Sequence, residues 1–216
     1  MCIRNLHRVF ASALFFAAIA ATAPAQTDVA LSFFGAFSNT ATSSFILRQT
    51  PSSQAGGMIE LRHLVNPLIG FEATYSFNRA NQNYLFNPPY DLCPNPACQF
   101  SNTVSANAHE ITADWVPSMK FGSLRPFAVL GVGLLVTVPT GSQTLAQYSP
   151  APLTSTNAVY VYGAGADWDL APHLGLRVQY RGNLYKAPDV SSTFMMSGPD
   201  AFLHTAEPMI WAYFRF

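Results

Sequence analysis

Hydrophobic and polar residues alternate with a period of two along most of the chain after residue 26. The clearest run, 174–185, alternates leucine, valine and tyrosine with arginine, glutamine and asparagine. A period of two is typical of a β-strand that has one apolar and one polar face. Eight such runs are present: 28–38, 59–62, 69–78, 106–116, 125–137, 159–169, 174–185 and 209–216. They predict an all-β protein with eight strands.

Two of these runs depart from strict alternation. Phe34 breaks the pattern of the first run, and the fifth run, 125–137, is apolar on both parities. In the fifth run we expect Gly131 and Gly133 to face a crowded interior, because glycine in a strand marks a close approach. A further hairpin hidden in a long connection would give ten strands, which remains an alternative to eight.

Short and long connections alternate between the predicted strands. The short ones are 66–67, 117–123 and 171–172, and the long ones are 39–54, 79–103, 138–158 and 186–202. Short turns at one end and long loops at the other are typical of antiparallel barrels in bacterial outer membranes.

The first residues carry the pattern of a secretory signal. A basic start is followed by the apolar run 9–20 and by small residues at 23–25. Twelve apolar residues are too few for a transmembrane helix, which needs about 20. We therefore expect residues 1–25 to be a cleaved signal peptide and residues 26–216 to form one barrel domain.

The composition fits a protein whose apolar residues face lipid. Half the residues are hydrophobic and a tenth are charged, which is too apolar for an ordinary soluble surface. No stretch after residue 26 is long enough for a membrane helix. Without Arg4 and Arg8, nine basic residues face eleven acidic ones, a net charge of about −2. This charge argues against nucleic-acid binding.

The end of the chain and two late segments carry a resemblance to a known family. The segments are GAGADW at 163–168 and LGLRVQYR at 174–181. With the strand and turn rhythm, they make the chain from residue 26 resemble the small eight-stranded OmpA/OmpX-like outer-membrane β-barrel family, without an appended peptidoglycan-binding domain. One parity of the last run resembles the C-terminal assembly signal of outer-membrane proteins: Ile210, Ala212, Phe214 and Phe216.

The resemblance implies an eight-stranded antiparallel up-and-down barrel that spans the outer membrane, and it transfers no catalytic residue. We expect a monomer without a cofactor, in contact with outer-membrane lipid and lipopolysaccharide. The barrel-assembly machinery and periplasmic chaperones are the partners expected during biogenesis. Because function concentrates in loops, we expect a structural or surface-interaction, adhesin-like role in the cell envelope. The alternatives are a narrow low-conductance pore and a lipid A-modifying enzyme.

Ten charged residues fall on the parity that should face the barrel interior: Glu60, Arg62, Glu72, Glu110, Asp114, Asp167, Arg177, Arg181, Glu207 and Arg215. An eight-stranded barrel is barely wide enough for its own side chains, and an unpaired buried charge costs several kcal/mol. We therefore expect a structural network of salt bridges. The alternatives are a narrow ion path, a plug that opens by exchanging pairs, and acid-base catalysis by Glu110 and Asp114.

Cys93 and Cys98 lie five residues apart in the second long connection. Export favours oxidation, so we predict a disulfide. A metal site is not expected there, because that connection contains no histidine and zinc prefers four ligands.

The histidines and the outward aromatic residues complete the candidate chemistry. His109 adjoins Glu110, but neighbouring residues of a strand point to opposite faces. Glu110 therefore cannot orient His109 on the lipid-facing wall, and no catalytic site is predicted. The outward aromatic residues fit the girdles of a membrane barrel, with a carbohydrate-stacking platform as the alternative: Phe71, Tyr75, Trp115, Tyr160, Trp168, Tyr180, Phe214 and Phe216.

Overall fold

The computed structural model describes residues 26–43, 47–86, 100–140, 153–190 and 200–216. None of these residues belongs to a helix long and apolar enough to cross a bilayer. The regular elements are β1 (Gln26–Ser38), β2 (Ala41–Ser43), β3 (Leu47–Pro51), β4 (Gln54–Leu64), β5 (Gly70–Arg79), β6 (Gln82–Phe86), β7 (Phe100–Val104), β8 (Ala106–Trp115), β9 (Leu124–Pro139), β10 (Ser155–Ala171), β11 (Leu174–Lys186) and β12 (Phe202–Arg215).

Eight strands close into a barrel in the order β1-β12-β11-β10-β9-β8-β5-β4. Every neighbouring pair is antiparallel, and β1 completes the cylinder by pairing with both β4 and β12. The barrel is an up-and-down meander, which confirms the predicted fold class, and the ten-stranded alternative is wrong. β12 begins at Phe202, where the predicted connection 186–202 ends, and its ladder with β11 continues past Pro208, which lies opposite Tyr180.

The short connections and both ends of the barrel chain lie together at one end, which we call the turn end. In the first turn the Asn66 side-chain oxygen accepts hydrogen bonds from the N–H groups of Leu68 and Ile69, each at 2.9 Å. In the second, Gly122 takes a φ of 61°, a conformation that favours glycine. The opposite end, from which the long connections leave, is the loop end.

Four short strands form a second sheet at the loop end, in the order β2-β3-β6-β7. We call it the upper sheet. Its strands lie in connection 39–54 and in connection 79–103 with the residue that follows it, so these long connections do contain hairpins, which add no strand to the barrel. The pairing of β3 with β6 joins the two connections, as in the register of Gln49 with Tyr84. Such pairing is non-local and leaves little signal within either segment.

Inside the barrel, the strands keep one parity even where the sequence looks irregular. Phe34 is 3% exposed and packs with Met58 and Trp211, so the expectation that it breaks the alternation is wrong. Its cross-strand partner is Gly56, and the missing side chain leaves room for the ring. Gly131 and Gly133 pair with the buried Asp114 and Thr112, which confirms that they face the interior.

The close approach at Gly133 yields a testable prediction. A Cβ added there would lie 2.7 Å from Thr112 Cγ2 and 2.8 Å from Thr112 Cα. We expect Gly133→Ala to lower the free energy of unfolding by about 1–3 kcal/mol, the usual cost of overpacking, as measured by urea unfolding of the refolded barrel. Gly57→Ala is the control, since the nearest atom to its added Cβ is Ser32 O at 3.8 Å. Equal unfolding midpoints for the two variants would contradict this account of the wall.

Candidate functional site

The lumen of the barrel holds most of the charged residues expected inside it. Nine of them are between 0% and 4% exposed: Glu60, Arg62, Glu72, Glu110, Asp114, Asp167, Arg177, Arg181 and Glu207. Arg215 lies instead at the turn-end mouth, where its guanidinium donates to Asp169 at 2.6 Å. Its position at the last strand residue, just before Phe216, places it beyond the enclosed part of the lumen.

The layer of charges nearer the turn end is centred on Arg177 of β11. Its guanidinium donates to Asp167 Oδ2 at 3.0 Å and to Asp28 Oδ1 at 3.2 Å, and it pairs with Glu60. These carboxylates come from β10, β1 and β4. Arg177 therefore ties together four strands through one buried cation.

Arg62 of β4 spans the lumen in the same layer. Its Nε donates to Glu72 Oε2 at 2.6 Å, and its Nη1 lies 3.5 Å from Asp167 Oδ2. β4 and β10 are diametrically opposite in the eight-stranded order. This ion pair therefore crosses the full width of the barrel.

Arg181 of β11 crosses the lumen nearer the loop end. Its Nη2 donates to Glu110 Oε1 at 3.0 Å and to Thr112 Oγ1 at 2.9 Å, and its Nη1 donates to Thr74 Oγ1 at 3.2 Å. Thr74 belongs to β5, the strand opposite β11. Asn183 supports this layer by donating from Nδ2 to both oxygens of Glu110, at 3.3 and 3.1 Å.

Two participants in the turn-end layer were absent from the predicted set. Asp28 is fully buried, and its parity with Ala30 and Ser32 in the first run could have identified it. The Phe127 ring lies 4.2 Å from Arg62 Cζ and 5.4 Å from Arg177 Cζ, close enough for cation–π attraction. Phe127 shares the parity of Gly131, which was the available signal.

The outward wall carries the aromatic residues that alternation placed there. Each is at least 41% exposed: Phe71, Tyr75, Trp115, Tyr160, Trp168, Tyr180, Phe214 and Phe216. Near the turn end, Trp115 Nε1 donates to Leu68 O at 2.8 Å. The wall therefore presents apolar rings, and the indole N–H of Trp115 is hydrogen-bonded at its edge.

The histidines of the wall hydrogen-bond to hydroxyl groups. His109 Nδ1 lies 2.9 Å from the Tyr75 hydroxyl, and His204 Nε2 lies 2.8 Å from the Tyr162 hydroxyl. Glu110 points into the lumen, away from His109, as the strand geometry predicted. Within the described part of the chain, no group of three or more His, Cys, Asp or Glu residues is arranged to hold a metal ion.

Three sequence predictions concern function or regions that the structure does not address. The signal peptide at 1–25 and the pair Cys93 and Cys98 lie outside the described residues, so their cleavage and disulfide stay predictions. The C-terminal residues point outward, with Ile210 at 64% and Phe216 at 73% exposure. Whether assembly factors read them stays a prediction as well.

The upper sheet is held in place by the segment that follows β11. Pro188 O accepts hydrogen bonds from Gln49 Nε2 at 3.0 Å and from the Tyr84 hydroxyl at 3.3 Å. A small apolar cluster covers these contacts: Leu47, Tyr84, Val104 and Val190. Burial raises the pKa of Tyr84 well above its ordinary value, so its hydroxyl remains protonated and able to donate.

The outer face of the upper sheet is polar and carries a single cation in its described part. Two cross-strand rows cover it, the first of Thr42, Arg48, Leu85 and Ser101, the second of Thr50, Asn83 and Thr103. Leu85 is 40% exposed. The face therefore combines hydroxyl and amide groups with one guanidinium and one accessible apolar side chain.

Comparisons with known proteins point to one family and one fold. The model of the family described as outer membrane protein β-barrel domain matches residues 9–197. The crystal structure of neisserial surface protein A is similar, with 13% identity, a TM-score of 0.53, and coverage of 90% of this chain and 100% of that one. No curated protein sequence matches.

Two further solved structures are similar to this chain. Outer membrane protein OprG of Pseudomonas aeruginosa has 12% identity and a TM-score of 0.52, with coverage of 89% of this chain and 96% of that one. The attachment invasion locus protein Ail of Yersinia pestis, solved with the heparin analogue sucrose octasulfate, has 12% identity and a TM-score of 0.49, with coverage of 90% and 100%. At 12–13% identity the likeness to neisserial surface protein A and OprG concerns the fold alone.

The buried network generates a prediction about stability. Arg177→Met leaves the carboxylates of Asp28, Glu60 and Asp167 without their shared cation, and breaking a buried pair costs about 3–5 kcal/mol. We expect that loss in the free energy of unfolding, measured by urea titration in detergent micelles.

Lys120→Met provides the matched control. Lys120 pairs with Asp169 at 2.9 Å, but its side chain is 49% exposed, and exposed pairs contribute about 0–1 kcal/mol. If the two variants lost equal stability, the lumen network would be no more important than a surface pair.

Proposed function

This chain belongs to the outer membrane protein β-barrel domain family, and from that membership we propose that it is a closed barrel that displays a surface for interaction outside the cell. The protein is located in the outer membrane. Short turns of such barrels face the periplasm and long loops face outward. The turn end is therefore the periplasmic end, and the upper sheet stands on the external side.

The filled lumen supports a closed barrel over the alternative of a narrow pore. Arg62, Arg177 and Arg181 are each fully buried, and two of them reach partners on opposite strands. Opening a path would require separating these pairs in a medium of low dielectric, which is costly. The single observation that carries the proposal of a closed barrel is that Arg62 and Arg181 each contact a group on the opposite strand, at two levels of the lumen.

The architecture of the upper sheet supports the interaction role. Its inner face packs on residues 187–190 through Gln49 and Tyr84, so its outer face is presented on ordered strands. Ordered presentation lowers the entropy cost of binding. The row that contains Arg48 and Leu85 offers a charged group beside an apolar one, a combination enriched in interaction surfaces.

Membership of this family also indicates what surrounds the outward face of the barrel wall. We propose that outer-membrane lipid and lipopolysaccharide contact the outward aromatic residues, and that the protein acts as a monomer. A lipid-modifying reaction is not part of the proposal, since His109 and His204 each bond to a tyrosine hydroxyl. Neither imidazole is hydrogen-bonded to a carboxylate in the described residues.

The interaction role is tested by reversing the charge of the external face. Cells that express the wild type should aggregate or adhere to an epithelial monolayer more than cells with an empty vector. We expect Arg48→Glu to reduce that gain roughly tenfold, since a central interface side chain contributes on the order of 1–2 kcal/mol. Surface labelling must first show equal amounts of each protein.

Lys186→Glu is the matched control for this experiment. Lys186 also lies at the external end and is exposed, but it pairs with Asp200 at 2.8 Å and is outside the upper sheet. The same charge reversal there should leave adherence unchanged. If the two variants behave alike, or if the wild type adds no adherence, the interaction role of the upper sheet is wrong.

A further inference from the structure

A small cavity lies at the external end of the lumen, where the barrel meets the upper sheet. Its volume is about 30 Å³, and its lining includes Ser38, Glu110, Asn183, Tyr185, Thr205 and Glu207. A space of that size holds one water molecule or one small ion. Its lining is rich in oxygen atoms, which are the ligands that hard cations prefer.

The charges in the layer of Arg181, which borders this cavity through Glu110 and Glu207, do not balance. Arg181 lies 3.0 Å from Glu110 and 3.7 Å from Asp114, and Glu207 is its cross-strand partner. One guanidinium therefore faces three carboxylates, which leaves a formal charge of −2 in this layer. Arg62 and Arg177 do not supply the difference, because they already pair with four carboxylates of the other layer, which carries a formal charge of −2 of its own: Asp28, Glu60, Glu72 and Asp167.

Glu207 carries the unmatched charge into the cavity. Its side chain is only 4% exposed, and within the described residues its Oε2 atom has no hydrogen-bond partner. A buried carboxylate oxygen without a partner is strongly unfavourable. A cation or a proton bound to Glu207 Oε2 would therefore stabilise this carboxylate.

The neighbouring donors are already engaged. Asn183 Nδ2 donates to Glu110 at 3.1 and 3.3 Å. The hydroxyl of Thr205 lies 2.6 Å from that of Ser38 and 2.8 Å from that of Tyr185, so the three hydroxyls bond to one another. Their oxygen atoms retain lone pairs that can bind a cation.

We propose that this cavity binds one calcium ion through the carboxylates of Glu207 and Glu110, with hydroxyl oxygens completing its coordination. A divalent ion balances the formal charge of the layer. Calcium accepts irregular arrangements of oxygen ligands, whereas magnesium demands octahedral geometry and releases its waters reluctantly. With two carboxylates the affinity should be modest, with a Kd of about 0.1–1 mM, as in extracellular calcium modules.

The test is a calcium titration of the refolded full barrel in detergent micelles, after removal of divalent ions and at constant ionic strength. Equilibrium dialysis with radioactive calcium should give one site per chain. The melting temperature should rise with calcium concentration, because a ligand that binds only the folded state stabilises it. A wild type that binds no calcium overturns the proposal and points to a proton as the guest of Glu207.

Variants separate the site from general charge effects. Glu207→Gln keeps the shape of the side chain and should weaken calcium binding at least tenfold. Ala108→Val keeps both carboxylates but fills part of the cavity, whose lining includes Ala108, and should weaken binding similarly. Should either variant fail to refold, the other still provides the test.

Asp200→Asn is the matched control, because it removes an exposed carboxylate at the same end of the barrel. It should bind calcium as the wild type does. Calcium binding that persists in both Glu207→Gln and Ala108→Val, or that falls equally in Asp200→Asn, would overturn the assignment to this cavity.

Discussion

Buried arginines that reach across a narrow lumen are the interaction on which the rest of the structure depends. The interior of an eight-stranded barrel is barely wide enough for its own side chains, so it must be filled by side chains of its own wall. Arg62 joins β4 to the opposite β10 through Asp167, and Arg181 joins β11 to the opposite β5 through Thr74. These contacts join opposite strands across the lumen, whereas the backbone hydrogen bonds join neighbouring strands around the wall.

The same constraint explains the pattern of small and large residues along the strands. Beside some of the large inward side chains the adjacent strand carries glycine, as Gly56 does beside Phe34 and Gly163 beside Arg181. The outward parity is then free to be apolar, as lipid requires. Alternation is therefore the joint result of a polar, crowded interior and a hydrocarbon exterior.

The sequence predicted the barrel well because both of its faces are chemically distinct. Charged residues such as Arg177 and Glu110 fixed the inward parity, and Gly131 and Gly133 resolved the apolar fifth run. Phe34 was wrongly taken as a break in the alternation because it is a large apolar residue on a parity that otherwise carries small residues. Parity predicts which face of a strand a residue is on, but not how far along the barrel axis it lies. It therefore could not show that Arg215 lies at the turn-end mouth of the lumen.

The upper sheet was harder to predict for a physical reason. Its strands are short and polar, and their pairing joins connections that are distant in sequence, as Gln49 and Tyr84 show. Local alternation in such segments is weak because only one small apolar cluster, with Leu47 and Val190, distinguishes the inner face. The cavity beside Glu207 likewise depends on the combination of β8, β11 and β12, which no single run contains.

The most direct measurement is single-channel conductance of the refolded barrel in a planar bilayer, after its heat-dependent gel mobility has shown that it is folded. We predict a folded protein without discrete current steps, because Arg62 and Arg181 each cross the lumen to a partner on the opposite strand, at two levels of the barrel. Reproducible steps from the folded wild type would contradict it, since ions would then pass where these pairs are held to close the barrel.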